Sequence, residues 1–189
     1  MINPRAALVA AAIAIGPGLG LGQSTKPATL TVGAVVLTPA SFFHEGNFAG
    51  ITARFDYRAI QRENGFLAFQ ATAFQSSLAI GGACASIGDP CTPRVYGQIP
   101  WAASMGADLG IDVPARGFRL TTAVGGGVAI GRLDPRDRFS QPSSFTSPEI
   151  HVRASASRGS WLIELELEQF THVDQFHPNA WSLRVGRHW

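Results

Sequence analysis

Eight times between Thr29 and Trp189, apolar residues alternate with small or charged ones at a period of two, and no segment beyond residue 22 carries a helical stripe. Successive side chains of an extended chain point to opposite faces, so this alternation specifies strands with two different environments. The chain reads as all-β. Expected strands are Thr29–Thr38, Asn47–Arg58, Phe66–Leu78, Val95–Val113 (with some loop at its start), Phe118–Gly131, Pro148–Ala156, Trp161–Phe170 and Ala180–Trp189. In the seventh, Trp161, Ile163, Leu165 and Leu167 oppose Glu164, Glu166 and Glu168. In the fifth, Phe118, Leu120, Val124, Val128 and Ile130 oppose Arg119, Thr121, Ala123, Gly125, Gly127 and Gly131. The third strand is the least regular, because either register leaves Phe69 or Phe74 on the polar side.

The connections alternate too. Ala59–Gly65, Pro114–Gly117 and Ser157–Ser160 contain the glycines of hairpin turns. Between them fall the longer segments Pro39–Gly46, Ala79–Arg94, Arg132–Ser147 and Thr171–Asn179. An up-and-down meander then gathers the short turns and both termini at one end, and the long segments at the other.

The N-terminus has the composition of an export signal: Arg5, the apolar run Ala6–Ile15, then Gly16-Pro17-Gly18 and the small residues Gly20 and Gly22. Cleavage is expected after Gly22, leaving residues 23–189 as one barrel domain. The apolar run is much shorter than the roughly 20 residues of a spanning helix. Fifteen basic against 13 acidic residues give +2, and loss of Arg5 leaves +1, with the basic residues scattered. Such balance argues against nucleic acid as a partner. Cys84 and Cys91 lie in the Gly/Pro-rich "GACASIGDPCTPR". In an exported chain with no other cysteine they are expected to form a loop disulfide, contributing roughly 2–3 kcal/mol.

Alternation alone does not say which face is inside. Strands of about 9–11 residues suit a tilted membrane crossing, and short turns at one end with long loops at the other is an outer-membrane asymmetry. Gly125, Gly127 and Gly131 in series suit a crowded barrel interior better than a solvated face. Aromatics gather at strand ends: Tyr57, Phe66, Phe118, Trp161 and Trp189 beside the turns, Phe48, Tyr96, Phe170 and Trp181 nearer the loops. Two such girdles match two membrane interfaces. The final strand, with Trp181, Leu183, Val185 and Trp189 on one face, resembles the C-terminal signal of bacterial outer-membrane proteins, which implies recognition by the barrel-assembly machinery. Arg187 departs from that pattern; near the end of the strand it can snorkel to headgroups. From these residues the chain resembles the small eight-stranded outer-membrane barrels, the class of the OmpA transmembrane domain, OmpX and OmpW. That resemblance implies an eight-stranded antiparallel up-and-down transmembrane β-barrel, located in the bacterial outer membrane, monomeric, and in contact with its lipid and lipopolysaccharide.

The interior of such a barrel is expected to hold Arg54, Asp56, Arg58, Asp108, Arg119, Glu149, His151, Arg153, Glu164, Glu166, Glu168, Arg184 and His188, with the three glutamates of the seventh strand facing Arg153 and Arg184. A charge-paired, closed lumen follows, because an unpaired charge in a narrow interior is costly. The loops, with Phe42, Phe43, Phe139 and Phe145, are left for a structural or surface-contact role. A narrow channel for ions or small solutes is the alternative, followed by a soluble periplasmic ligand-binding barrel. His44, His172, Asp174 and His177 are weak metal candidates, and no cofactor is expected. "FTHVDQFHPN" faintly resembles lipid A deacylases at His172. Asp174 stands where that family has its nucleophilic serine, so no enzyme activity is expected.

Overall fold

The computed structural model describes residues 27–38, 47–80, 98–134, 143–171, 173 and 178–189. Eight strands follow in order: β1 Ala28–Thr38, β2 Asn47–Arg62, β3 Gly65–Ile80, β4 Gln98–Ala115, β5 Phe118–Asp134, β6 Ser143–Arg158, β7 Trp161–Phe170 and β8 Asn179–His188. Each pairs antiparallel with its sequence neighbours, and β1 pairs with β8 to close the barrel. Closure removes every free edge.

The register fixes the strand tilt. Laterally, Thr38 leads to Asn179, Gln169, Ile150, Gly126, Ala107, Phe69, Tyr57 and back to β1 at Ala28, a displacement of ten residues. Ten rises of ~3.3 Å against eight spacings of ~4.8 Å correspond to a tilt of about 40°. The even displacement keeps inward and outward faces continuous around the seam.

Alternation now has its two environments. Val32, Ile51, Met105, Leu109, Val124, Val128, Ile150, Val152, Ile163, Leu165, Leu183 and Val185 all point outward and are exposed. Arg54, Asp108, Glu164, Glu166 and Arg184 point inward and are buried. In water this arrangement would leave a continuous apolar surface; in lipid it is the stable one.

Tight turns join the strands at one end: Glu63–Asn64, Arg116–Gly117 and Gly159–Ser160. Arg116 (φ 38°) and Gly117 (φ 87°) are both left-handed, as a two-residue hairpin on twisted strands requires. The first turn is shorter than expected, because β2 continues through Ala59–Arg62 and the reversal falls on Glu63 (φ 44°). The ends of β1 and β8 meet at the same end, where Ala28 and Trp189 exchange backbone hydrogen bonds of 3.3 and 3.1 Å. Other strands also extend beyond the expected boundaries. β6 begins at Ser143, with Pro148 inside it facing out; the Pro148 carbonyl accepts from Thr171 N (3.0 Å), so the strand continues past the missing N–H.

Three aromatic expectations are corrected. Phe66 and Phe170 are not girdle residues but face inward and are buried, and Phe145 is not in a loop but on β6, also buried inside. The ambiguity in β3 resolves with Phe69 outward (55% exposed) and Phe74 inward (5%). Phe48 and Tyr96 have side chains outside the described residues.

Candidate functional site

The lumen is layered along its axis. At the end from which the long connections depart, Val35, Leu37, Phe74, Ala102, Ala129, Phe145, Phe170, Val173 and Ala180 form an apolar cluster. Phe74 and Phe170 pack with ring centroids 5.8 Å apart. Room for the Phe145 ring comes from its partner on the neighbouring strand: a Cβ on Gly131 would stand 2.6 Å from that ring.

Beneath this layer lies the charge network. β2, even-numbered toward the interior, sends Arg54 across the lumen. Its Nε donates to Asp56 Oδ1 (3.0 Å), Nη2 to Asp108 Oδ2 (2.5 Å) and Nη1 to Glu166 Oε2. Arg153 of β6 meets Glu164 Oε2 (2.8 Å), Asp108 Oδ2 (2.7 Å) and Asp56 Oδ2 (3.3 Å). Arg184 of β8 meets Glu164 Oε1 (3.0 Å) and Glu166 Oε1 (2.8 Å). His151 Nε2 lies 2.6 Å from Asp108 Oδ1. Although Arg153 stands opposite Glu166 in the ladder, its guanidinium reaches the diagonal Glu164, because Glu166 is held by Arg54 and Arg184. Each guanidinium is shared by two or three carboxylates through single N–O contacts, which ties the side chains to one another.

Two expected members behave differently. Glu168 does not meet Arg153 or Arg184 at ion-pair distance. Its carboxyl lies against that of Glu149, which also accepts from Gln70 Nε2 at 2.9 Å. Arg119 is inward by parity but sits at the turn-end rim, 54% exposed and 4.0 Å from Asp112. The barrel no longer encloses it at that level.

Near the turn end a second cluster forms on Asp112. It accepts from Arg58 (2.5 and 3.2 Å), Thr121 Oγ1 (2.7 Å) and Gln61 Nε2 (3.4 Å). Arg58 stacks on Phe66 at 4.2 Å. His188 lies 2.7 Å from Thr29 Oγ1 at the same end. Asp112 is not among the residues expected from sequence, although it shares the parity of Asp108 on the same strand.

Trp181, Leu183 and Val185 face outward on β8, as does Arg187, and Trp189, one residue beyond the strand, is exposed. The metal candidates His44, His172, Asp174 and His177, and the cysteines Cys84 and Cys91, lie outside the described residues.

Closed antiparallel topology, about 40° of tilt, an apolar exterior and a polar, filled interior define an eight-stranded up-and-down transmembrane β-barrel. No protein-family model matches the chain, and no curated protein matches it. Solved structures do. The chain is similar to Ail, the attachment invasion locus protein of Yersinia pestis (TM-score 0.53, 13% identity, 87% of this chain and 99% of that one). It is similar also to Neisserial surface protein A (0.52, 12%, 86% and 97%). The N-terminal β-barrel domain of Pseudomonas aeruginosa OprF is a third (0.51, 12%, 85% and 97%). At these identities the likeness is one of fold.

Proposed function

We propose that the protein is a bacterial outer-membrane barrel with a closed lumen, whose loops act in structural or surface contacts rather than in transport. The observation that carries this reading is the filling of the lumen by three successive layers: the aromatic cluster, the Arg54-centred network and the Asp112 latch. A conducting path would have to displace ion pairs that are buried and mutually shared, each costing several kcal/mol to break. With the interior filled, the features left to differ from one such barrel to the next are the four long connections. A surface role agrees with the name of the structurally similar Ail, an attachment invasion locus protein. The outward residues Trp181, Leu183, Val185 and Trp189 supply a C-terminal strand of the kind the assembly machinery reads, and the outer wall supplies contacts to lipid and lipopolysaccharide.

The test has two parts. The chain without residues 1–22, refolded in detergent, is expected to shift in gel mobility on boiling and to leave ion-loaded vesicles tight. Replacing residues 39–46 and 174–177 by short Gly/Ser links is expected to keep the mobility shift and abolish adhesion of expressing cells to surfaces. Step currents in planar bilayers would establish a channel instead. A chain soluble without detergent would establish a soluble barrel, and adhesion unchanged by loop replacement would remove the surface role.

A further inference from the structure

The outer wall at the turn end is not uniform. Across β6, β7 and β8, Arg158 stands beside Trp161, and Trp161 beside Arg187, in one lateral row. All three point outward and are exposed, Trp161 by 66%. The row extends to Phe118, whose ring lies 5.5 Å from the Arg158 guanidinium, and on the other side to Leu30. Two residues farther along each strand comes the unbroken apolar row Leu120, Ala156, Ile163, Val185 and Val32. The arginines therefore mark the border of the apolar belt, at the depth of headgroup phosphates, where tryptophan also settles. On the opposite wall the exposed residues at this end include Ile60, Leu109, Ile111 and Val113, with Arg62 at the tip of β2 and Arg116 in the β4–β5 turn. Among the described residues, Glu63 is on the distant β2–β3 turn and Asp112 is committed inside the lumen, so no side-chain carboxylate competes for this row.

We propose that Arg158, Trp161 and Arg187 form a binding site for the headgroup phosphate of an anionic phospholipid in the leaflet at the turn end. The proposal rests on the membrane reading above. Two guanidiniums, two strand spacings or ~10 Å apart at the backbone, can close on one phosphate from both sides of the indole, each with two parallel N–H donors. A zwitterionic headgroup would bring its own cation against them, so phosphatidylglycerol is preferred to phosphatidylcholine.

The experiment is native mass spectrometry of the refolded chain released from mixed phosphatidylcholine and phosphatidylglycerol vesicles, with the boiling-dependent gel shift checking each variant's fold. Wild type is expected to retain phosphatidylglycerol. R158Q/R187Q is expected to lose that preference about 30-fold, while R62Q/R116Q, at the ends of the other two hairpins, keeps it. R158Q and R187Q singly, each losing about fivefold, serve if the double variant does not refold. No preference in wild type, or equal loss in both double variants, overturns the site but leaves the membrane barrel standing. A chain that never enters vesicles overturns both.

Discussion

The lumen faces of β4–β5 and of β6–β8 are built on opposite plans. β6, β7 and β8 project Glu149, His151, Arg153, Glu164, Glu166, Glu168 and Arg184 inward, whereas β4 and β5, apart from Asp108 and Asp112, present Ser104, Gly106, Gly110, Ala123, Gly125, Gly127, Ala129 and Gly131. The small residues make room for the charged ones, Asp108 on β4 itself among them. A Cβ on Gly125 would stand 2.2 Å from Asp108 Oδ1 and 2.4 Å from His151 Nε2; on Gly127 it would stand 2.8 Å from Glu149 Oε1. A barrel of eight strands has too little interior for long side chains from every side. One wall gives up volume so that the other can pair its charges.

The largest effect should come from removing the group that spans both walls. Arg54→Met leaves Asp56, Asp108 and Glu166 without their shared cation, and is expected to cost about 3–5 kcal/mol in reversible urea unfolding from lipid vesicles. Arg62→Met, exposed at the end of β2, should move the same transition by no more than about 0.5 kcal/mol. Next comes the contrast between the two faces of one strand. Leu165→Arg, outward on β7 beside buried Glu164, should cost roughly 2–4 kcal/mol if the outer face meets lipid. In a barrel dissolved in water that substitution would be close to neutral.

Gly125→Ala sharpens the glycine-wall account, with an expected loss of about 1–3 kcal/mol from overpacking. Gly126→Ala, one residue along and facing outward, meets Glu149 O at 3.0 Å and Ile150 Cγ2 at 3.8 Å and should change stability by less than about 0.5 kcal/mol. Smallest is Arg116→Gly: relieving a left-handed arginine at φ 38° should stabilise the barrel by up to about 1 kcal/mol, read as slower unfolding on the same denaturant series.

How much of this is legible in the sequence depends on the strand. β7 can be read to the residue, because every odd position from Trp161 to Leu167 is apolar and every inward one from Glu164 to Glu168 is charged. Phe170 carries the same even parity, yet its place at the strand end suggests a membrane girdle. It faces inward into the apolar cluster with Phe74 and Phe145, where Ala102, Ala129 and Gly131 leave space for rings. Parity is the better guide there, and it also points to Asp112. At Arg119 parity alone misleads, since a residue can face inward at a level where the wall has ended. Strand ends run past the local turn signals at Pro148 and at Ala59–Arg62, where partners in the closed sheet override turn propensity. The partner choices within the network are beyond sequence, because Arg153 to Glu164 rather than Glu166 depends on where a third arginine arrives from β2.

The most direct test of a sealed lumen inside a lipid-facing wall is a nuclear Overhauser measurement on methyl-labelled protein in nanodiscs. Methyls of Val32, Leu165, Leu183 and Val185 should show cross-peaks to lipid acyl chains. Those of Val35 and Leu37, in the apolar cluster at the loop end, should show none to lipid and none to water. Water cross-peaks at Val35 and Leu37 would mean an open, hydrated lumen, and an absence of lipid cross-peaks at Val32 and Leu165 would contradict the membrane orientation itself.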